Sequence, residues 1–192
     1  IEEVDNSLKI KAYKPTELHS KVVVIDAGHG GKDPGAVVGA YHEADLNLGV
    51  VLELKKLLDA DPNIKVYYTR VNDVYPTLEE RTVLANEVDA DVFISIHCNS
   101  FISSYRGTET LFLPGPNTPD LNAFEVAEIF QKVFTDHTAL ENYKIKERDN
   151  LYVLKYTDMP AIILEMGYLT NEYDRSYLTN KDYHDDLAKG IQ

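Results

Sequence analysis

The amino-acid sequence predicts an α/β fold, in which a single domain is built on a mostly parallel, twisted sheet with helices on both faces. Short apolar runs rich in β-branched residues, such as residues 22–25 and 161–164, alternate with longer segments whose apolar residues recur at helical spacing. The chain has 192 residues, which suits one domain with a substantial core, and its sequence contains no internal repeat.

Local patterns define the elements of the first part of this domain. Residues 21–26 are a β-branched run typical of a buried parallel strand, and the glycine-rich stretch 27–35 that follows predicts a loop. Apolar residues recur at helical spacing from about residue 44 to 58, and Asp61-Pro62-Asn63 ends that helix. Residues 64–69 alternate as a strand does.

The remaining elements follow from the same kinds of pattern. Thr77 is followed three residues later by Glu80, which is a capping box and predicts a helix through about residue 87. Apolar or alternating runs predict further strands at residues 91–97, 108–113, 151–154 and 160–165. Further helices are predicted within residues 116–140 and at residues 171–178 and 181–191. Residues 1–20 are polar and lack a clear period, so we expect a leader or linker with an edge strand at its end, ahead of a catalytic domain at 21–192.

Composition restricts the partners of the protein. The chain has 32 acidic and 19 basic residues, and its net charge of −13 disfavours nucleic acid and anionic membrane surfaces. Its apolar runs are far shorter than the roughly 20 residues of a membrane helix, so no integral membrane span is expected in this chain. The sequence starts at Ile1 and does not tell whether a signal peptide or anchor has been removed.

Three side chains that can bind metal or transfer protons lie at or just past the ends of predicted parallel strands. They are His29, His97 and Glu165, and sites in parallel sheets form at the carboxyl ends of strands. Catalytic zinc takes three histidine or carboxylate ligands and leaves a fourth position for water. Either His42 or Glu43 could complete the set, and spacing does not choose between them.

Other histidines and the cysteine have simpler interpretations. His19, His137 and His184 lie in polar or charged segments, and we expect all three to be solvated. Cys98 is the single cysteine, which excludes an intramolecular disulfide. Because it follows His97 on a predicted strand, it should face away from the site as a small buried side chain.

Several polar residues near these positions each have two interpretations. Asp26 either orients a metal ligand or accepts a hydrogen bond at the strand end. Asn99 holds either substrate or backbone, and Glu109 is expected to be a solvated strand position rather than a contributor to the site. Arg70 and Arg81 are expected to pair with acidic side chains rather than to anchor a peptide carboxylate.

A series of motifs, in order across residues 21 to about 190, resembles the zinc-dependent N-acetylmuramoyl-L-alanine amidases of the amidase-3 type. The matching blocks are IDAGHGG at 25–31, DPGA at 33–36, Glu43 with Asn47-Leu48, YTR at 68–70, LEER at 78–81, ADVFISIHCN at 90–99, GTET at 107–110 and PAIILEMGYLTN at 160–171. The departures are small, since Cys98 stands where alanine or another small residue is common and Ser100 follows Asn99.

The resemblance implies a zinc ion held by His29, Glu43 and His97, with His42 as a neighbour, and Glu165 as the catalytic carboxylate. It also implies hydrolysis of the amide between N-acetylmuramic acid and L-alanine in peptidoglycan. In that reaction Glu165 would take a proton from water and pass it to the nitrogen of alanine. The expected location is therefore outside the cytoplasm, in the periplasm, cell wall or spore envelope.

Regulation and alternative functions are also part of this hypothesis. The interval between the second histidine and Glu165 is too short for the inhibitory helix that some members of the family insert. The sequence shows no wall-binding module, so a partner protein is expected to activate the enzyme or recruit it to peptidoglycan. The alternatives are a zinc peptidase that acts on another amide and a catalytically silent wall-binding or regulatory module.

Overall fold

A six-stranded sheet lies at the centre of the computed structural model, which describes residues 2–4, 7–9, 21–115 and 122–192. The strands are β1 (Glu2–Val4), β2 (Ser7–Lys9), β3 (Lys21–Ala27), β4 (Val37–Val38), β5 (Tyr41–His42), β6 (Ile64–Tyr68), β7 (Val92–Asn99), β8 (Thr108–Phe112), β9 (Asn142–Glu147) and β10 (Ala161–Tyr168). The helices are α1 (Glu43–Leu58), α2 (Leu78–Glu87), α3 (Ala123–His137), α4 (Tyr152–Lys155), α5 (Glu172–Leu178) and α6 (His184–Ile191), with a 3-10 turn at Lys181–Tyr183. His19 and the edge strand expected near residue 20 lie outside the described residues.

The strand order of the central sheet is β6-β3-β7-β10-β8-β9. Strands β6, β3, β7 and β10 run parallel, β8 is antiparallel to β10, and β9 is parallel to β8. The mostly parallel sheet predicted from the sequence is therefore confirmed. The pairs β1–β2 and β4–β5 form separate antiparallel hairpins.

Helices cover both faces of this sheet, as predicted. Successive residues of a strand point to opposite faces, so Val24 and Ile25 of β3 belong to two different hydrophobic clusters. The larger cluster joins the sheet to apolar residues of α1, α3, α5 and α6. The smaller cluster contains Ala85 of α2 together with Val153 and Leu154 of α4.

Two parts of the sheet prediction differ from the structure. Residues 151–154 were expected to be a strand, which is wrong, because residues 152–155 form the helix α4 with Val153 and Leu154 buried. A short apolar run has too few residues for its period to separate a strand from a helical turn. The sequence prediction also omitted β9, whose lysines alternate with Tyr143 and Ile145. Charged side chains of this kind are typical of an edge strand, which lacks the apolar pattern of a buried one.

The histidines of the C-terminal half differ from each other in environment. His137 is exposed, as predicted. The expectation of a solvated His184 is wrong, because its side chain is buried and its Nε2 lies 3.0 Å from the carbonyl oxygen of Leu178. Its ring packs against Gly49 of α1, where an added Cβ would lie 2.9 Å from the imidazole. None of the described helices is both long enough and apolar enough to cross a membrane.

The capping box predicted at the start of α2 is present. Thr77 Oγ1 accepts a hydrogen bond from the backbone N–H of Glu80, and Glu80 Oε2 accepts one from the backbone N–H of Thr77. Each of these bonds satisfies a backbone donor that the helix itself leaves free. The helix that follows contributes Arg81 and Ala85 to the interior.

Replacing Thr77 by alanine tests the contribution of this cap. Thr77→Ala should lower the free energy of unfolding by about 1 kcal/mol, because the side-chain acceptor is lost. Thr77→Ser keeps the hydroxyl, so its free energy of unfolding should remain close to that of the wild type. Urea titration of both variants measures these values. Equal stability of the alanine and serine variants would contradict a stabilising role for the cap.

Candidate metal centre

Three side chains from separate elements converge on one point at the end of the sheet. His29 lies in the loop after β3, Glu43 is the first residue of α1, and His97 belongs to β7. One potential ligand atom from each lies within 4.8 Å of the other two. Glu43 Oε1 is 3.2 Å from His29 Nε2 and 2.8 Å from His97 Nδ1. Within the part of the chain that the structure describes, these three residues are the one group of histidine, cysteine or acidic side chains whose ligand atoms lie this close together.

Glycine is required at two positions around this group. A Cβ added at Gly28 would lie 2.3 Å from the ring of His97, which is closer than real atoms approach. Gly35 has a φ of +64°, and a Cβ there would lie 2.6 Å from Glu43 Oε2. His29 itself has a φ of 60°, which is uncommon for a residue with a side chain. The loop therefore holds His29 in a backbone conformation that the surrounding contacts must maintain.

Asp33 positions the ring of His29, a role that the sequence pattern did not predict. Its Oδ2 lies 2.8 Å from His29 Nδ1, which leaves the other ring nitrogen facing Glu43. A carboxylate that binds the second nitrogen of a metal-binding histidine fixes the orientation and tautomer of the ring. The signal available in the sequence was an aspartate four residues after His29 in the same loop.

The carboxylate of Glu43 is held by further donors. Its Oε2 accepts a hydrogen bond from the backbone N–H of Ala36, and its Oε1 accepts one from the backbone N–H of Cys98. Asn47, one turn further along α1, donates to Gly28 O and, at 3.4 Å, to Glu43 Oε1. The orientation of Glu43 is therefore determined by the loop, by β7 and by its own helix.

Two arginines, each 3% exposed, bind the carbonyl groups of the same loop. Arg70 donates to the carbonyl oxygens of Ala27 and Gly28 at 2.8 and 2.9 Å, and to that of Ala44 at 2.8 Å. Arg70 thus joins the loop to the first turn of α1, and the expected ion pair with an acidic side chain is not found among the described residues. Its burial excludes it as a surface anchor for a peptide carboxylate.

Arg81 holds the loop from the other side. It donates to the carbonyl oxygens of Ala27 and His29, both at 2.9 Å, and forms a buried ion pair with Asp26. The expected pairing with an acidic side chain is therefore confirmed for Arg81. Asp26 also accepts hydrogen bonds from Thr69 and Ser95. Arg81 thus links Asp26 to the backbone carbonyl group of His29.

Glu165 lies on β10 in register with His97 on the neighbouring strand. Its Oε2 is buried and accepts no hydrogen bond from the described residues. On the other side, Glu165 is in register with Glu109 of β8, which is 4% exposed. The expectation that Glu109 is a solvated strand position is wrong. Asn99 donates to Glu109 Oε2 at 3.2 Å, and its Oδ1 accepts a hydrogen bond from the backbone N–H of Ser100, so it holds backbone, as one of the two interpretations proposed.

Burial and pairing shift the pKa values of these groups. Burial disfavours the charged form of His29, but its contacts with Glu43 and Asp33 outweigh that effect and raise its pKa to about 9. Burial alone would raise the pKa of Glu43, whereas the two histidines hold this pKa well below its usual range. Burial raises the pKa of Glu165 to about 7, against the opposing effect of His97. Glu43 is therefore a stable carboxylate that requires positive charge beside it.

The two neighbours of the candidate ligands lie outside the group. His42 is exposed at the start of α1, and its Nδ1 is 3.4 Å from Asp45. Cys98 is buried in the larger hydrophobic cluster, on the face away from the candidate centre, as predicted. Burial raises the pKa of its thiol well above the ordinary value, so it stays protonated and does not resemble a thiolate ligand.

A cavity of about 370 Å³ opens beside the candidate centre. His29, Asp33 and His97 are among the polar residues that line it. Its apolar and aromatic lining residues include Tyr75, Pro76, Leu78, Leu151, Tyr152 and Val153. The cavity provides space for a substrate next to the group that could bind a metal.

Comparison with known proteins gives consistent results for sequence and structure. The family model described as N-acetylmuramoyl-L-alanine amidase matches residues 23–192. The uncharacterized protein YqiI of Bacillus subtilis (strain 168) is 36% identical over 184 residues, which cover 94% of this chain and 85% of YqiI. Four further curated relatives are 30–33% identical, and this chain spans between 37% and 64% of their length.

Two solved structures are similar to this chain over 89% of its length. The catalytic domain of CwlV, an N-acetylmuramoyl-L-alanine amidase from Bacillus (Paenibacillus) polymyxa var. colistinus, has a TM-score of 0.82 and 37% identity, with 89% of this chain and 93% of that chain covered. The CwlD amidase from Clostridioides difficile, solved in complex with the GerS lipoprotein, has a TM-score of 0.78 and 31% identity, with 89% and 94% covered.

The buried pair of Asp26 and Arg81 is expected to be important for stability. Asp26→Asn should lower the free energy of unfolding by about 3 kcal/mol, because it leaves the guanidinium of Arg81 buried without its countercharge. Asp136→Asn is a matched control on the exposed face of α3, where the ion pair with Lys132 should contribute nothing measurable. The measurement is urea denaturation. Equal losses of unfolding free energy for Asp26→Asn and Asp136→Asn would contradict the stabilising role of the buried pair.

Proposed function

Because this chain belongs to the N-acetylmuramoyl-L-alanine amidase family, we propose that it uses zinc to cleave the amide between N-acetylmuramic acid and L-alanine in peptidoglycan. The observation that carries this proposal is the convergence of His29, Glu43 and His97 within 4.8 Å, beside Glu165 and an open cavity. The catalytic unit is residues 21–192, and residues 1–20 are a leader or linker.

The donor set suits zinc as its metal. Two imidazoles and one carboxylate are a well-known set for catalytic zinc, and they leave a coordination position free for substrate or water. His29 and His97 are the imidazole ligands, and Glu43 is the carboxylate ligand, fixed by Ala36 and Cys98. A zinc ion bound there would supply Lewis acidity to the scissile carbonyl and lower the pKa of water at the site.

Glu165 is the proton carrier of the reaction. Its Oε2 has no hydrogen-bond partner from the described residues, so it is free to accept a proton from the attacking water. A carboxyl group whose pKa is near 7 can both accept that proton and return it to the nitrogen of alanine. The register of Glu165 with His97 on the neighbouring strand supports this role, because no flexible loop separates the two residues.

The site of action follows from this substrate. Peptidoglycan lies outside the cytoplasmic membrane, so the enzyme acts in the periplasm, the cell wall or the spore envelope. A partner protein that recruits or activates the chain is part of the proposal. It is motivated by the CwlD relative, which was solved in complex with the GerS lipoprotein.

Digestion of purified peptidoglycan tests the activity. With zinc present, the chain should release stem peptides with a new amino-terminal alanine, and mass analysis should find muramic acid without any peptide. Dialysis against a chelator should abolish release, and added zinc should restore it. New reducing ends without free peptide would indicate glycan cleavage, and a cut within the stem would indicate a zinc peptidase. Full activity after thorough chelation would contradict zinc dependence.

A substitution of the proposed proton carrier separates catalysis from metal binding. Glu165→Gln should lower kcat at least about a hundredfold, because the amide cannot accept the proton of water. Its zinc content after dialysis should equal that of the wild type, whereas His97→Ala should lose zinc as well as activity. Glu147→Gln, on the exposed end of β9, is the matched control and should retain activity. A fully active Glu165→Gln variant would refute this mechanism.

A further inference from the structure

Four ionisable side chains form a row across neighbouring strands at the end of the sheet that carries the candidate centre. The strand register pairs His97 of β7 with Glu165 of β10, Glu165 with Glu109 of β8, and Glu109 with Lys144 of β9. Residues paired in this way project from the same face, and neighbouring strands are about 4.8 Å apart. The row therefore extends about 14 Å from the candidate centre to the edge strand.

Glu109, the third member of this row, is a buried carboxylate whose two oxygens have different partners. Its Oε2 accepts a hydrogen bond from Asn99, but its Oε1 accepts none from the described residues. The Nζ of Lys144 lies 3.5 Å from this Oε1, which is a long ion pair, so an N–H group of a bound molecule would still be stabilised at this buried oxygen. The position beside Glu165 makes that molecule the substrate.

Lys144, the outer member of the row, places a positive charge next to this acceptor. Its Nζ lies 3.5 Å from Glu109 Oε1 and 4.2 Å from the centre of the Tyr143 ring. The side chain is 39% exposed, so the ammonium is positioned by two neighbours and is still accessible to a ligand. A carboxylate that approaches Glu109 from solvent would therefore meet Lys144 first.

The two sides of the candidate centre differ in chemical character. The cavity on one side has a wall of Tyr75, Leu78 and Tyr152, and its buried Asp26 and Arg81 neutralise each other. The row on the other side is ionic. The two parts of the proposed substrate differ in the same way, because its sugars are uncharged once the muramic carboxyl group is in amide linkage, whereas its peptide carries free ionisable groups.

We propose that Glu109 and Lys144 form the stem-peptide subsite, in which Lys144 binds a free carboxylate on the residue that follows the cleaved alanine. Glu109 accepts an N–H of the same peptide, and the sugars occupy the cavity on the other side of the candidate centre. The order of side chains along the row then matches the order of groups along the peptide, counted from the scissile bond. This assignment rests on the proposed amidase function.

Two synthetic disaccharide dipeptides that differ in one group test the subsite. Both end in L-alanyl-D-glutamic acid whose γ-carboxyl group is blocked as an amide. In one of them the α-carboxyl group is free, and in the other it is also an amide. The wild type should cleave the acid with a kcat/KM about fivefold higher than that for the amide. This ratio is the size expected for a partly exposed ion pair. Lys144→Gln should bring this ratio close to one, and Lys144→Arg should preserve it. Lys146→Gln changes the next lysine on the same face of β9 and should leave the ratio unchanged.

A binding measurement separates failure of the subsite from failure of the proposed function. Calorimetric titration with the two free dipeptides, acid and amide, should show the same preference and the same loss in Lys144→Gln. If the chain bound the acid dipeptide more tightly than the amide but hydrolysed neither disaccharide substrate, the result would support the subsite and contradict the amidase function. Equal cleavage and equal binding of acid and amide by the wild type would overturn the subsite, as would an unchanged ratio in Lys144→Gln.

Discussion

The buried carboxylate of Glu43, placed between two imidazoles, is the contact on which the rest of the site depends. Its Oε1 lies within 3.2 Å of a ring nitrogen of both His29 and His97. A carboxylate in this environment loses most of its hydration, and it is stable only while positive charge and hydrogen-bond donors remain beside it. The sharp loop after β3, the start of α1 and the end of β7 must therefore stay in fixed relative positions.

The two buried arginines meet this requirement by binding main-chain carbonyl groups. Arg70 connects the loop to the first turn of α1, and Arg81 connects the same loop to Asp26 in the sheet. Five hydrogen bonds from these guanidinium groups go to carbonyl oxygens of residues 27–29 and Ala44. They stabilise the positive φ of His29, which would otherwise raise the energy of the loop. Substitution of either arginine by lysine would keep the charge but lose the planar geometry of these contacts.

Sequence patterns predicted the features that depend on local order along the chain. Alternating apolar runs located the parallel strands, and the strand-end rule selected His29, His97 and Glu165. The choice of Glu43 over His42 depended on the resemblance to a family. The structure supplies a physical reason, because adjacent residues at the start of α1 point in different directions and His42 is exposed. Asp33 was missed because its role depends on the folded shape of one loop.

The position of Glu109 and Lys144 explains why the strand-end rule did not find them. Strand β8 is antiparallel to β10, and β9 is parallel to β8, so both strands begin at the end of the sheet where the parallel strands finish. Their second and third residues therefore reach the site from rigid strands, whereas His29 reaches it from a loop. A reversal of strand direction beside the last parallel strand thus adds a second, ionic wall to a site that the carboxyl ends alone would leave open.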